Sequence, residues 1–327
     1  MKRTHVFTIM ALVACIFLLV LIEAPAQPPA AEAEGGQTKQ YVYKKTPQGE
    51  LKIHVHLPPG WKPSDKRPGI VFFFGGGYRG GSIEHFLDQA TYLAERGMVA
   101  ARADYRVQSR HGVAPDKCVE DAKSAIRWFR AHAGELGVDP NRIVGAGGSA
   151  GGHIAACAAT TEGLEAEGED LSVSSRPNVL VLFNPVLSLV GREKLVERVG
   201  NDAELAARIS PTVYLKKDTP PALLMYGTED QFLDQAREFV AKSKKIGHRT
   251  DLYWAEGQFH AFFNHSPWME RTLRRADEFL ASVGYLEGEA TVQDGRWKDI
   301  RPPLTERQLR ELKKKAEDRK AQMSAGK

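Results

Sequence analysis

Residues 143–153 read Ile143-Val144-Gly145-Ala146-Gly147-Gly148-Ser149-Ala150-Gly151-Gly152-His153, so that two apolar β-branched residues are followed by eight small residues. Within this run, residues 147–151 fit the pattern G-x-S-x-G, in which a strand turns sharply into a helix at the serine. So tight a turn strains the serine backbone, and a Cβ at Gly147 or Gly151 should collide with its neighbours. The pattern therefore predicts a strand, an exposed hydroxyl at Ser149 and a helix beginning at Ala150.

A glycine-rich phosphate loop is the alternative for such a run. That loop requires either a Lys-Ser/Thr pair after the glycines or G-x-G-x-x-G with an acidic residue about twenty positions further on. Neither follows residues 143–153. The apolar segment before the turn and the Ala-rich segment after it favour the serine turn.

Apolar runs alternate with helical patterns on both sides of this turn. Two short runs, 41–45 and 51–57, predict an antiparallel hairpin. After them, strands are predicted at residues 69–74, 98–104, 143–147, 179–183, 222–226 and 251–254, and helices at residues 85–96, 115–132, 150–160, 202–209, 233–246 and 267–283. This order predicts an α/β fold with a mostly parallel eight-stranded sheet and helices on both faces.

A serine hydroxyl becomes a good nucleophile when a base takes its proton, and the base needs a third group to hold it in one tautomer. In folds with this serine turn, the chain order is Ser, then acid, then His. Asp230 follows the strand predicted at 222–226, and His260 follows the next strand. We therefore predict Ser149 as nucleophile, His260 as general base and Asp230 as the carboxylate that orients the base.

Neighbouring residues offer alternatives for two of these roles. Glu229 and Asp234 flank Asp230, and His265 lies five residues after His260. His153 lies one helical turn after Ser149, where we expect it to pack beneath the site.

The negative charge on the tetrahedral intermediate needs hydrogen-bond donors, each worth roughly 3–4 kcal/mol in a serine hydrolase. One predicted donor is the backbone amide of Ala150. The others are Gly76 and Gly77, in the glycine-rich loop that follows the strand predicted at 69–74. Three consecutive glycines let backbone amides turn towards a substrate.

No metal or cofactor is expected. His54 and His56 alternate on one strand face, which permits two metal ligands, but no third ligand is positioned by the sequence and a solvated strand face is favoured. Cys118 and Cys157 fall in separate predicted helices, so we expect two buried thiols rather than a disulfide framework.

Seven motifs over about residues 53–280 resemble the bacterial carboxylesterases and acetyl-xylan-type esterases of the α/β-hydrolase superfamily, near the hormone-sensitive-lipase group. In chain order they are Phe74-Gly75-Gly76-Gly77, Asp104-Tyr105-Arg106, Pro115 with Asp121-Ala122 and Trp128, Gly147 to His153, Asn184-Pro185, Pro220-Pro221, and Gly257 to His260. The resemblance implies the α/β-hydrolase fold and hydrolysis of carboxylic ester bonds (EC 3.1.1) through an acyl-enzyme. One position departs from the family pattern. The motif at residues 74–77 belongs to the loop expected to carry the donors to the oxyanion, here called the oxyanion loop. The family usually has a structural His at its first position, where this chain has Phe74.

The expected substrate is a short-acyl ester, above all an acetyl ester, on a carbohydrate. No helices precede the hairpin, and the insertion at 187–219 is short and polar, so no large apolar cap is expected over the cleft. A small acyl pocket between Tyr78 and the serine turn should exclude long chains. Two alternatives stay open: an exopeptidase of the prolyl-oligopeptidase type, although residues 27–52 are too few for the usual propeller, and a noncatalytic hydrolase-like binding protein.

The first residues have the layout of a secretory signal peptide, with Lys2 and Arg3 before an apolar run at 6–22 and Ala24-Pro25-Ala26 after it. Cleavage after Ala26 predicts an exported protein, periplasmic or secreted, with no stable membrane partner. A retained signal anchor, and a lipoprotein signal at Cys15, are the alternatives. The predicted organisation is a signal peptide at 1–26, a linker at 27–40, the catalytic domain at 41–286 and a charged tail at 287–327.

The positive charge of the chain lies in its tail. Residues 296–327 hold eleven Lys or Arg against five Asp or Glu, whereas the net charge of the whole chain is +4. With +1 on residues 1–26, residues 27–295 carry −3. This mildly acidic body has no basic surface pattern, which argues against nucleic acid as a partner. The tail is expected to be coil at 294–303 and a loosely attached, solvated helix at 305–323.

Overall fold

The structure is a computed structural model, and it describes residues 36–325. The predicted signal peptide at 1–26, the lipoprotein alternative at Cys15 and most of the predicted linker lie outside the described residues. No helix within the described range combines the length and apolar character that crossing a bilayer requires.

Eight strands form one sheet in the described part of the chain. They are β1 (Gln37–Thr46), β2 (Gly49–Leu57), β3 (Arg67–Phe73), β4 (Val99–Ala103), β5 (Val138–Gly148), β6 (Val179–Phe183), β7 (Ala222–Gly227) and β8 (Thr250–Ala255). Their order across the sheet is β1-β2-β4-β3-β5-β6-β7-β8. β2 pairs antiparallel with both β1 and β4, and the other neighbours are parallel. The predicted hairpin and mostly parallel sheet are confirmed.

Eleven α-helices lie between residues 36 and 325. They are α1 (Leu87–Glu95), α2 (Gln108–His111), α3 (Pro115–Ala131), α4 (Ala133–Leu136), α5 (Ala150–Thr160), α6 (Glu193–Val196), α7 (Ala203–Arg208), α8 (Pro211–Tyr214), α9 (Leu233–Ile246), α10 (Trp268–Ser282) and α11 (Glu306–Ala325). The sequence predicted the longer ones to within two residues. It missed α2, α4, α6 and α8, because a single turn of helix is too short to show a periodicity.

The sheet separates two apolar layers, because successive strand residues face opposite sides. On β3, Val71 and Phe73 pack with α3, α5 and α9, whereas Ile70 and Phe72 pack with α1 and α10. Both faces of the sheet are thus covered by helices, as predicted.

The described fold extends beyond both ends of the catalytic domain predicted at 41–286. β1 begins at Gln37, inside the predicted linker, because these residues pair with β2 along its whole length. At the other end, Trp297 of the predicted charged tail is only 5% exposed and packs in the core layer of α1 and α10. Arg296 also pairs with Glu95 on α1. The described side chains of α11 lie largely in solvent, as expected for the last part of the tail.

Candidate active site

Ser149 lies in the turn between β5 and α5, with φ 53° and ψ −116°. A Cβ built on Gly147 would lie 2.6 Å from the carbonyl oxygen of Phe73, and one on Gly151 would lie 2.1 Å from the same atom. Both distances are too short for a side chain. The expected collisions are confirmed, and they explain why this turn needs glycine at both positions.

His260 joins Ser149 to Asp230 through two hydrogen bonds. Its Nε2 lies 2.8 Å from Ser149 Oγ, and its Nδ1 lies 2.8 Å from Asp230 Oδ2. The Asp230 side chain is fully buried and also accepts a hydrogen bond from the backbone amide of Phe232 at 2.8 Å. The geometry fits an imidazole that donates from Nδ1 to the carboxylate and accepts the serine proton at Nε2. The structure thus brings the three predicted residues together.

The alternative acids and base have other partners. Asp234 pairs with Arg192, and the amide of Glu229 donates to the carbonyl of Gln258. His265 Nδ1 lies 3.0 Å from the carbonyl oxygen of Pro302. The position beside His260 Nδ1 is occupied by Asp230.

The three predicted oxyanion residues line one cavity with Ser149 and His260. Gly76, Gly77 and Ala150 all contribute to its wall, and its volume is about 320 Å³. Gly76 and Gly77 have φ values of 136° and 61°. A Cβ on Gly76 would lie 2.1 Å from the carbonyl oxygen of Gly80, so the fold of this loop depends on glycine.

A histidine braces the oxyanion loop from outside the loop itself. The amide of Gly75 donates to His85 Nδ1 at 3.0 Å, and His85 Nε2 lies 2.7 Å from Asn264 Oδ1. Burial lowers the pKa of His85, which favours the neutral ring that can accept at Nδ1. His85 lies just before α1, and no local pattern in the sequence predicts its contacts with Gly75 and Asn264.

Phe74, which stands where the family usually has histidine, supports the same loop by packing. Its ring stacks on Tyr105 with ring centres 4.0 Å apart, and the Tyr105 hydroxyl donates to the Phe74 carbonyl oxygen at 2.7 Å. The loop is therefore held on both sides.

Asn184 holds the loop that carries His260. It is fully buried, and its Oδ1 accepts a hydrogen bond from the amide of Ala261 at 2.9 Å. Its Nδ2 lies 3.5 Å from His260 Nε2. Asn184 belongs to a motif noted in the sequence, but its contact with the loop after β8 depends on the order of β6, β7 and β8 in the sheet.

His153 is buried beneath the turn, as expected. Its Nε2 lies 2.6 Å from the carbonyl oxygen of Ile209, and its ring meets Tyr78 edge to face. Burial lowers the pKa of His153 to about 4, so the ring is neutral near pH 7.

His54 and His56 both lie within hydrogen-bond distance of Arg102. Arg102 Nε donates to His56 Nε2 at 3.0 Å, and burial lowers the pKa of His56 to about 3. Within residues 36–325 there is no group of three or more His, Cys, Asp or Glu side chains arranged to hold a metal ion. Cys118 and Cys157 are buried free thiols.

The insertion at 187–219 reaches the site, although the sequence predicted no large apolar cap there. It forms short helices rather than a large cap, but Leu195 and Arg198 line the cavity. Arg198 Nη1 donates to the carbonyl oxygen of Gly77 at 2.6 Å. The insertion therefore bounds one side of the cavity, next to the oxyanion loop.

Residues 53–243 match the BD-FAE family. Among curated relatives, the probable carboxylic ester hydrolase LipM of Mycobacterium tuberculosis is 30% identical over 219 residues, which cover 59% of this chain and 49% of LipM. Esterase LipC of the same organism is 28% identical over 222 residues, covering 61% of this chain and 54% of LipC. The chain spans about half the length of these curated relatives.

The fold matches solved esterase structures. Thermogutta terrifontis esterase 2 phosphoramylated by tabun gives a TM-score of 0.74 at 45% identity, covering 81% of this chain and all of that one. The propionate-bound form of the same esterase gives 0.73 at 45% identity, covering 78% of this chain and 97% of that one. The chain therefore belongs to the BD-FAE family and has the α/β-hydrolase fold, within the group of carboxylesterases related to the hormone-sensitive lipases.

Proposed function

We propose that this chain is a serine carboxylesterase that hydrolyses short-acyl esters, acetyl esters above all, through an acyl-enzyme intermediate. The observation that carries the proposal is the position of His260, which is hydrogen-bonded to Ser149 Oγ on one side and to the buried Asp230 carboxylate on the other. This is the arrangement that activates a serine hydroxyl.

In the first half of the reaction, His260 Nε2 takes the proton of Ser149 Oγ while that oxygen attacks the ester carbonyl carbon. The carbonyl oxygen becomes negatively charged and accepts hydrogen bonds from the amides of Ala150, Gly76 and Gly77. Asp230 stabilises the imidazolium and keeps its orientation. His260 then gives the proton to the leaving alcohol oxygen as the bond between carbonyl carbon and alcohol breaks.

In the second half, a water molecule takes the place of the alcohol. His260 removes a proton from the water, whose oxygen attacks the acyl carbon on Ser149. When the intermediate collapses, the proton returns from His260 to Ser149 Oγ and the carboxylic acid leaves. The base of the first half thus acts twice, and the serine is regenerated.

The size of the cavity supports a short acyl group. About 320 Å³ must hold the acyl group and part of the alcohol, and Val186, Leu195, Phe232 and Phe263 make its apolar walls. The related Thermogutta esterase has been solved with propionate and with butyrate bound, both of which are short acids. Phosphonylation of that esterase by sarin is a reaction expected of an activated nucleophile.

We further propose that the alcohol is a carbohydrate and that the protein works outside the cytoplasm. The insertion at 187–219 is short and polar, so a bulky alcohol can extend from the cavity into solvent. The signal-peptide pattern at 1–26, with cleavage after Ala26, would place the enzyme where polymeric carbohydrates occur.

A substrate panel tests this function. The measurements are kcat/KM over 4-nitrophenyl esters from acetate to palmitate, acetate release from acetylated xylan, and hydrolysis of dipeptide amides. We expect a maximum at acetate or its nearest homologues, acetate release from xylan and no amide hydrolysis. A maximum at eight carbons or more would contradict the proposed short acyl group. If no acetate is released from xylan, the proposal that the alcohol is a carbohydrate fails. Faster hydrolysis of amides than of esters would favour the exopeptidase alternative.

A further inference from the structure

Arg198 places a guanidinium at the wall of the cavity, against the oxyanion loop. It lies in the short 3-10 turn Glu197–Val199 of the insertion. Its Nη1 donates to the Gly77 carbonyl oxygen at 2.6 Å, and its guanidinium carbon lies 5.8 Å from the centre of the Tyr78 ring. A Cβ built on Gly77 would lie 2.9 Å from Nη1 and 3.8 Å from Nη2, so the whole guanidinium edge faces this loop.

The charge of Arg198 has no carboxylate partner among residues 36–325. Arg192, in the same insertion, pairs with Asp234, whereas the hydrogen bond that Arg198 makes among the described residues goes to the Gly77 carbonyl oxygen. Its Nε is buried without a hydrogen-bond partner in the part of the chain that the structure describes. Burial, with a contribution from Arg79, lowers the pKa of Arg198, which shows that the site holds the charge at a cost.

The cavity itself contains no compensating charge. Among the described residues that line it, Arg198 is the only Arg, Lys, Asp or Glu. The walls beside it are apolar or aromatic, which strengthens the attraction between a guanidinium and an anion. A ligand that brings a carboxylate would therefore supply the partner that the protein lacks.

Arg198 also borders a second cavity of about 510 Å³ on the outer side of the oxyanion loop. The charged residues that line this cavity are Arg79, Arg198 and Glu197, so cationic groups outnumber carboxylates. The two cavities share Gly77, Tyr78 and Arg198. A substrate too large for the first cavity can therefore extend past the guanidinium without meeting an excess of negative charge.

We propose that Arg198 binds a carboxylate carried by the ester substrate, so that the preferred substrates are short-acyl esters of acidic alcohols such as carboxylate-bearing sugars. The inference rests on the proposed ester hydrolysis at Ser149. An acetyl group carries no charge, so the carboxylate is expected on the alcohol half. A guanidinium binds a carboxylate through charge-assisted hydrogen bonds, and Nη2 is available because it makes no hydrogen bond to the described residues.

A purely structural role for Arg198 makes a different prediction. If the residue only held the Gly77 carbonyl in place, removing it would slow all esters equally. If it binds a carboxylate, its removal lowers kcat/KM mainly for anionic esters, and most of that loss appears as a higher KM. Pairs of esters that differ in charge but not in shape separate the two roles.

The test uses such pairs with the full chain. On the alcohol side the pair is 3-acetoxybenzoate and 3-acetoxybenzamide; on the acyl side it is 4-nitrophenyl hydrogen glutarate and 4-nitrophenyl pentanoate. We compare kcat/KM for the wild type, Arg198→Gln and Arg198→Lys. The charge-matched control is Arg208→Gln, because Arg208 is an exposed arginine of the same insertion that does not line either cavity.

We expect the wild type to prefer the anionic member of the alcohol pair. Arg198→Gln should reduce kcat/KM for that ester by about 10- to 100-fold more than it reduces kcat/KM for the neutral ester, since a charged hydrogen bond is lost. Arg198→Lys should retain part of the preference, and Arg208→Gln should keep all of it. If the wild type prefers the anionic member only in the acyl-side pair, carboxylate binding by Arg198 is still supported, but the carboxylate lies on the acyl half of the substrate rather than on the alcohol half.

Equal losses on anionic and neutral esters, or no charge preference in the wild type, would overturn the proposal. A second measurement needs no variant: benzoate should inhibit wild-type hydrolysis of 4-nitrophenyl acetate more strongly than benzamide does, and equal inhibition counts against carboxylate binding. Failure of this inference leaves hydrolysis of neutral esters intact, whereas failure of the proposed function removes hydrolysis of every ester in the panel.

Discussion

The backbone amide of Gly75 donates a hydrogen bond to His85 Nδ1 at 3.0 Å, so a side chain that lies just before α1 holds the start of the oxyanion loop. His85 is fixed in turn by Asn264, which lies four residues after His260 in the sequence. One imidazole therefore links the loop before α1 to the loop that carries the proposed base.

This link predicts a catalytic cost for His85→Ala. The substitution frees the Gly75 amide and lets Gly76 and Gly77 move, so donors to the oxyanion lose their alignment. We expect kcat on 4-nitrophenyl acetate to fall by about 10- to 100-fold, less than the loss of a whole oxyanion donor. His265→Ala is the control, because His265 contacts Pro302 instead. Equal activity in both variants would show that the bond to Gly75 does not position the loop.

Ser149 and His260 should act as one unit. Ser149→Ala and His260→Ala are each expected to reduce kcat by about 10³-fold or more, and the double variant should lose little beyond either single one. The folded structure should persist, because the turn is set by the glycines around Ser149. Thermal unfolding checks the fold, and ester turnover checks the coupling. Additive losses would mean that the two side chains do not work on the same step.

Asp230→Asn should impair turnover through the wrong tautomer of His260. An amide at this position can donate to Nδ1 and so favour the ring form that cannot accept the serine proton. We expect kcat to fall by about 10²-fold or more, with Asp234→Asn close to wild type because Asp234 pairs with Arg192 on the surface. Should the Asp234 variant lose more activity than the Asp230 variant, the orienting carboxylate has been assigned to the wrong residue.

Stability should fall as the pH drops below about 6.5, in part because of His153. Burial lowers the pKa of His153 from its ordinary value of 6.5 to about 4. Its contribution is fully present above the unfolded value and is lost as the pH falls from 6.5 towards 4, because the unfolded chain binds the proton more readily. The shift bounds this contribution at about 3 kcal/mol.

His153→Gln tests that assignment, since glutamine does not titrate and can still donate to the Ile209 carbonyl. The free energy of unfolding, measured in urea from pH 7 to pH 4, should depend less on pH in the variant than in the wild type. Identical slopes would mean that His153 is not held neutral in the folded protein.

The sequence predicted the sheet and the three central residues because each depends on a local pattern. Ser149, Asp230 and His260 all follow apolar strands, and parallel strands bring their carboxyl ends to one edge of the sheet. The oxyanion loop was found for the same reason, since Gly76 and Gly77 come directly after β3.

The supporting residues could not be predicted in this way. His85 and Asn264 are 179 positions apart in the sequence, and Asn184 and Ala261 are 77 apart. Both contacts could therefore be predicted only if the order of the strands in the sheet were known. Arg198 is one of many charged residues in the insertion, and only the packing of short helices brings it to Gly77. The burial of Trp297 could not be predicted either, because the residues around it in the tail are highly charged.

The central claim is that Ser149, activated by His260, forms a covalent acyl-enzyme. The most direct measurement is reaction of the wild type with a 4-nitrophenyl alkylphosphonate, which transfers its phosphonyl group to an activated nucleophile. The readouts are the 4-nitrophenol released per enzyme molecule and the modified residue located by peptide mass spectrometry. The account predicts one equivalent released, the label on Ser149, and no comparable labelling in His260→Ala. A label on another residue, or equally rapid labelling without His260, would contradict it.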